Sequence, residues 1–198
     1  MPDAPSTDDQ PDDIALMLSV KGGDERAFEV LVERHQFRIV GTVAKMLGGH
    51  ADAEDIAQQV FIRVWQSAHR YNPTAKFTTW LLTITRNLVF NEMRRRLRAR
   101  VVPLDSDDPD RPHDNRPDAS ARPASEELAN AELQEAIARA IAALPESQRM
   151  AVILRRYEEM PYEEIAQVMG TTVPAVKSIL FRARAELREN LKKFLATE

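Results

Sequence analysis

The stretch RYNPTAKFTTWLLTITRNLVFNEMRRRLRAR, residues 70–100, decides how the chain is read. A polar turn around Pro73 leads into an aromatic and threonine segment, then into an apolar helix that ends in arginines. The spacing predicts a helix from about Phe77 to Leu97. From Arg86 to Arg100 six arginines face one acid, Glu92, for a local charge of +5. The whole chain of 198 residues carries a formal −4. Positive charge is therefore concentrated on particular elements.

Working outward, the segregation holds along the chain. Residues 1–13 carry five aspartates and no base, and residues 101–127 carry eight acids against three arginines. Lys177 to Lys193 holds six bases against two acids. Two basic helices separated by acidic segments fit nucleic-acid contact better than general solubility. Hydrophobic content of 43% supports a core and 29% charged residues a soluble one. No apolar run reaches the ~18 residues of a membrane span, so no membrane insertion is expected. The acidic, proline-bearing N-terminus has no basic and apolar pattern of a secretory signal. Cysteine is absent, which excludes disulfides, thiolate metal sites and cysteine nucleophiles. A cytoplasmic protein is the simplest expectation.

The run VPLDSDDPDRPHDNRPDASARPAS, residues 102–125, is rich in proline and aspartate and nearly devoid of large apolar side chains. Too little surface is available there to offset ordering entropy, so it reads as a flexible acidic linker. The expected organisation is a disordered tail and lead-in over 1–23, a domain over 24–98, a linker over 99–125 and a second domain over 126–195. Both domains read as helical. Gly48–Gly49 ends one helix, Asp52 caps the next, Ser125 and Thr172 cap two more, and Pro145 sits at a helix start. No alternating stretch suggests a strand. The expected fold class is all-α, two small helical domains with a helix-turn-helix in the second.

That second domain contains PYEEIAQVMGTTVPAVKSILFRARAEL, residues 161–187. Ala166 is small where two helices cross, Gly170 can take positive φ in the turn, and Val176 anchors the second helix. The second helix then presents Lys177, Ser178, Phe181, Arg182 and Arg184, residue types that reach guanine edges or phosphates from a major groove. An ordinary helical hairpin with a solvated basic face is the plainer reading of the same pattern.

Three motifs in order, DAEDIAQQVFIRVW at 52–65, the segment 70–96, and LPESQR at 144–149 leading into the helix-turn-helix, carry a resemblance. The chain closely resembles the extracytoplasmic-function (ECF) group of bacterial RNA polymerase sigma factors, over nearly its whole length apart from tail and linker. The resemblance implies partners: RNA polymerase core, through clamp helices of its largest subunit and the flap of its second-largest subunit, promoter DNA, and an anti-sigma factor. It implies docking on polymerase by Asp52, Glu54, Asp55, Gln58, Phe61 and Trp65. Phe61 and Trp65 also fit a purely core role, the favoured reading for Trp65, and the acids fit a first turn favoured by the helix dipole. It implies recognition of a melted −10 element by Tyr71, Lys76, Phe77, Arg86, Asn87, Asn91, Arg94 and Arg95, with Arg96 beside them and Trp80 packed beneath. It implies −35 duplex recognition by Lys177, Ser178, Phe181, Arg182 and Arg184. Two positions depart from the family: Ile179 stands where many relatives carry a base, and Pro174 stands at the helix start.

Other sites are not expected. His35, His50, His69 and His113 lack metal-ligand spacing, and His35 reads as a packed residue. The carboxylates of YEEMPYEE read as a solvated face. No nucleophile-with-base arrangement suggests catalysis, and no cofactor or metal is expected. An autonomous helix-turn-helix regulator with a helical sensor domain is the alternative function.

Overall fold

A computed structural model describes residues 12–49, 51–101 and 125–195. Nine α-helices and one 3-10 turn account for the ordered backbone among these residues, with no strand. Of the linker expected over 99–125, residues 102–124 lie outside them, as do residues 1–11 and His50, while 99–101 continue one helix and Ser125 begins another, which corrects the linker's bounds.

The N-terminal half is built on three helices. Helix α2 (Glu25–Leu47) starts where the Asp24 side chain accepts the Ala27 amide at 3.1 Å. It stops where Gly48 takes φ 76°, a left-handed cap that suits glycine. Helix α3 (Ala53–Ser67) buries Ile56, Val60, Phe61 and Val64, four positions at helical spacing. Helix α4 (Phe77–Val101) buries Phe77, Leu81, Leu82, Thr85 and Val89 against α2 and α3. Its Thr85 hydroxyl donates to Leu81 O at 3.0 Å, so the buried oxygen is satisfied within the helix.

Helix α1 (Asp13–Lys21) corrects the expectation of a disordered lead-in over 1–23. Leu16, Met17 and Val20 are buried on its inner side. Asp13 accepts from Arg34 Nη1 at 3.0 Å and pairs with His35 Nε2 at 2.8 Å, while Lys21 Nζ donates to Tyr71 O at 2.9 Å. The acidic composition around it conceals a short apolar face whose acid finds bases one helix away. His35 is packed, as its position predicts.

The C-terminal half comprises α5 (Ser125–Ala143), α6 (Glu146–Arg156), α7 (Tyr162–Met169) and α8 (Val173–Asn190), followed by the short α9 (Lys192–Leu195). Pro145 precedes α6 as its cap residue. Helices α6, α7 and α8 pack on one another around Ile153, Ile165, Val168, Val176 and Leu180.

The halves also touch each other, α4 against α7 and α2 against α5 and α6. Arg149 donates to Met46 O at the end of α2 and to Ala142 O and Leu144 O at the corner between α5 and α6. One guanidinium thus satisfies carbonyls that helix ends leave unpaired.

At the far end of α4 a charge cluster ties it to α3. Glu92, 9% exposed, accepts from Arg95 at 2.7 and 2.8 Å and from Arg96 Nε at 2.8 Å. Arg96 also reaches Asp52, whose side chain makes no capping bond because it is engaged there. Asp52 keeps the cap position that the sequence predicts, with a different use for its carboxylate.

Two outcomes test this packing. Met17→Ala should destabilise the chain by about 2–5 kcal/mol in urea melts, the cost of emptying a fully buried methionine site; no change in midpoint would show that α1 is not part of the core. Hydrogen bonding by Arg95, with further help from Arg96, holds the Glu92 carboxyl at about 2, against 4.5 ordinarily, although burial opposes this. Because the folded value is the lower one, its stabilisation is complete above about pH 4.5 and is lost as pH falls towards 2. Glu92→Gln should therefore cost at most about 3 kcal/mol at neutral pH, less in salt because Arg95 is exposed, and progressively less in acid. A pH-independent difference between the two proteins would contradict this.

Candidate nucleic-acid interface and docking groove

Helix α4 sorts its residues by face. Asn87 and Asn91 are exposed one turn apart, and Arg94 and Arg95 are exposed beyond them. The Arg86 guanidinium donates to Asn87 Oδ1 from Nε at 3.1 Å and Nη2 at 2.6 Å. That leaves the Asn87 NH2 as the group able to donate to a base edge. Arg95 and Arg96 share Glu92, the acid already counted in the local +5, and Arg96 is further offset by Asp52. Lys76 lies at the start of α4 and pairs with Glu164 at 2.7 Å.

Tyr71 and Phe77 require a correction. They are 1% and 2% exposed, and neither offers a ring face to a base. Tyr71 sits 5.1 Å from Trp80 and 6.4 Å from Phe77, and Phe77 sits 5.3 Å from His35. Edge-to-face contact of this kind fixes the loop from below. Burial, then Asp12 and Asp13, raise the Tyr71 hydroxyl above its ordinary value. Trp80 packs into the same cluster, as its position predicts.

Between α2 and α3 lies an apolar groove of about 960 Å³. Phe28, Phe37, Phe61, Ile62 and Trp65 line it, and Glu25, Glu29 and Glu54 stand at its edges with Gln58. Phe61 is buried in its floor. Trp65, 38% exposed, leans on Phe28 at 5.1 Å, so the core reading of this residue is corrected. It lies near the end of α3, where α2 shields one side only. Glu54 and Asp55 are exposed in the first turn of α3, and Gln58 one turn on. The sequence reading missed Phe37, 82% exposed. Its signal was present: Phe37 falls on the polar side of α2, opposite Leu31, His35 and Ile39.

In the C-terminal half Gly170 takes φ 62° between α7 and α8, with Ala166 and Val176 buried on either side, as a helix-turn-helix requires. The Thr172 side chain accepts the Ala175 amide at 3.4 Å, and Pro174 occupies the first turn without disturbing it. Lys177, Ser178, Phe181 and Arg182 line one shallow surface, with Phe181 75% exposed. Such a ring suits a thymine methyl, and Arg182 a guanine edge. Arg184 is exposed but lines a different groove, with Arg155, Arg156 and Leu187 between α6 and α8. Ile179 is packed against the core, so an inward position explains why it carries no charge.

The chain matches the family description Sigma-70 region 2 over residues 31–99 and Sigma-70, region 4 over residues 134–187. It is 31% identical over 190 residues to the RNA polymerase sigma-H factor of Pseudomonas aeruginosa, covering 94% of this chain and 97% of that one. It is 30% identical over 194 residues to the ECF RNA polymerase sigma-E factor of Escherichia coli K12, covering 92% and 96%. Among solved structures it resembles CnrH in complex with the cytosolic domain of CnrY, with a TM-score of 0.65 and 26% identity over 92% of this chain and 97% of that one. The fold is also that of the sigma factor RpoE of Bartonella quintana, solved with the anti-sigma factor NepR, with a TM-score of 0.63 and 24% identity over 83% and 96%. This chain belongs to the ECF group of the sigma-70 family of RNA polymerase sigma factors, promoter-recognising proteins that are themselves non-enzymatic.

Proposed function

We propose that this chain joins RNA polymerase core, reads the −10 element as a melted strand with α4 and reads the −35 element as duplex with α8. The observation that carries the reading is the separation of three unlike surfaces on one chain. An acid-edged apolar groove suits a helical partner bearing bases, since aromatic anchors supply contact and the acids supply steering. The clamp helices of the largest subunit are the proposed occupant, met by Glu54, Asp55, Gln58 and Trp65. The groove between α6 and α8, edged by Arg155, Arg156 and Arg184, is the proposed seat of the second-largest subunit's flap.

On α4 the amides of Asn87 and Asn91 would read unstacked bases, while Lys76, Arg86, Arg94 and Arg95 follow the phosphates. Tyr71 and Phe77 would act from beneath, by holding the loop. On α8 Lys177, Ser178, Phe181 and Arg182 would read the −35 duplex. CnrH is solved with the cytosolic domain of CnrY, and RpoE of Bartonella quintana with the anti-sigma factor NepR, which supports the proposal that an anti-sigma factor restrains this chain too. The cytoplasm is the proposed compartment, and no helix among the described residues is long and apolar enough to cross a membrane.

Core dependence separates this reading from an autonomous regulator. The purified chain should shift a promoter fragment only in the presence of sigma-free core, and specific duplex binding by the chain alone would favour the regulator. Asn87→Ala and Asn91→Ala should each leave core binding intact while reducing open-complex formation about tenfold, as expected for losing contacts of 1–3 kcal/mol. Permanganate reactivity of −10 thymines reads this directly. Wild-type reactivity in both variants would remove these residues from strand recognition.

A further inference from the structure

Arg86 and Asn87 are consecutive on α4, and their side chains are joined. The Arg86 guanidinium donates to Asn87 Oδ1 from Nε at 3.1 Å and from Nη2 at 2.6 Å. A guanidinium carries donors and no acceptor, so the amide atom facing it has to be the oxygen. The two bonds use both acceptor positions of that oxygen and leave the NH2 group for any further partner. An asparagine without such a neighbour has no preferred sense, because its χ2 is broad and two-fold and half a turn exchanges donor for acceptor. Asn91 is in that condition. It is exposed one turn further on, and its side-chain amide has no partner among the described residues.

We propose that Arg86 sets the base preference of Asn87: it fixes the amide as a donor, so the position read by Asn87 takes a keto base, thymine or guanine, over an amino base, adenine or cytosine. The inference rests on the functional reading above, in which Asn87 meets an unstacked base. A keto oxygen accepts from the NH2 group. An exocyclic amino group at the same place meets donor with donor, and both lose their bond to water without replacement. Sites built to hydrogen-bond one partner discriminate most strongly against a partner that leaves their polar groups unpaired. Asn91, able to turn its amide, carries no such preference.

Arg86 acts here through Asn87, as a positioning residue, and this role is separable from a phosphate contact. Neutralising a phosphate strengthens binding to every strand and steepens its salt dependence. A fixed amide alters only the ratio between bases, because phosphate contacts carry no sequence information of their own. Nη1 takes no part in the bonds to Asn87, so one guanidinium can serve both.

The test uses holoenzyme assembled from the full chain and polymerase core to select strands from a randomised single-stranded DNA pool, which are then sequenced. Asn87→Ala identifies the position that Asn87 reads, as the one whose preference disappears. At that position wild type should favour keto over amino bases. Arg86→Leu should lower the ratio about tenfold, the scale of one unpaired base edge. Arg86→Gln places a neutral NH2 donor as many bonds from the backbone as the arginine Nε. It should keep the ratio while binding all strands more weakly and with a shallower salt dependence. An unchanged ratio in Arg86→Leu with uniformly weaker binding, or an amino preference in wild type, would overturn the positioning role and leave the functional reading standing. If no position responds to Asn87→Ala, the functional reading falls and this inference with it.

Discussion

The contact between Glu92 and its two arginines sits at the point where the competing demands on α4 meet. This helix must bury Phe77, Leu81 and Val89 in the core while carrying a dense cluster of positive charge at its other end. Arginines at successive positions repel one another, and a single buried carboxylate offsets two of them. Arg96 extends the contact to Asp52 at the head of α3. The orientation of α3, and with it the groove it forms with α2, is thereby coupled to the helix proposed to hold DNA.

This coupling gives the acidic net charge a physical role. Exposed acids at the start of α3 and along α2 border an apolar groove, and exposed bases mark α4 and α8. Each surface attracts a partner of opposite charge and repels the others. The same complementarity operates within the chain, because Arg38, Lys76 and Thr79 of the N-terminal half meet Glu158 and Glu164 of the C-terminal half. The ionic character of this contact makes its strength dependent on salt.

Helical periodicity and punctuation made most of the fold legible in the sequence. Gly48 and Gly170 take the left-handed φ that helix ends use, Thr172 caps α8, and Ala166 and Val176 anchor the helix-turn-helix. Asn87 and Asn91 are exposed together because their spacing is that of one helical face. Features that depend on partners distant in sequence were less legible. Glu158 and Glu164 look like surface acids until α2 and α4 come alongside. Helix α1 was concealed by its acidic neighbourhood, since composition averages over a face only nine residues long. Tyr71 and Phe77 were expected to contact a base, and they are buried because Trp80 and His35 close around them. Trp65 failed in the opposite direction, remaining partly exposed where the helical bundle ends.

The most direct measurement is site-specific photocrosslinking within the complex of this chain, polymerase core and promoter DNA. A photoreactive side chain replaces Asn91 in one protein and Phe181 in another, and each adduct is mapped on both strands. The expected result is that Asn91 adducts fall on a single melted strand in the −10 element and Phe181 adducts fall in the −35 duplex, both only with core present. Adducts from both positions at one duplex site, formed equally well without core, would contradict the assignment of α4 and α8 to two separate promoter elements.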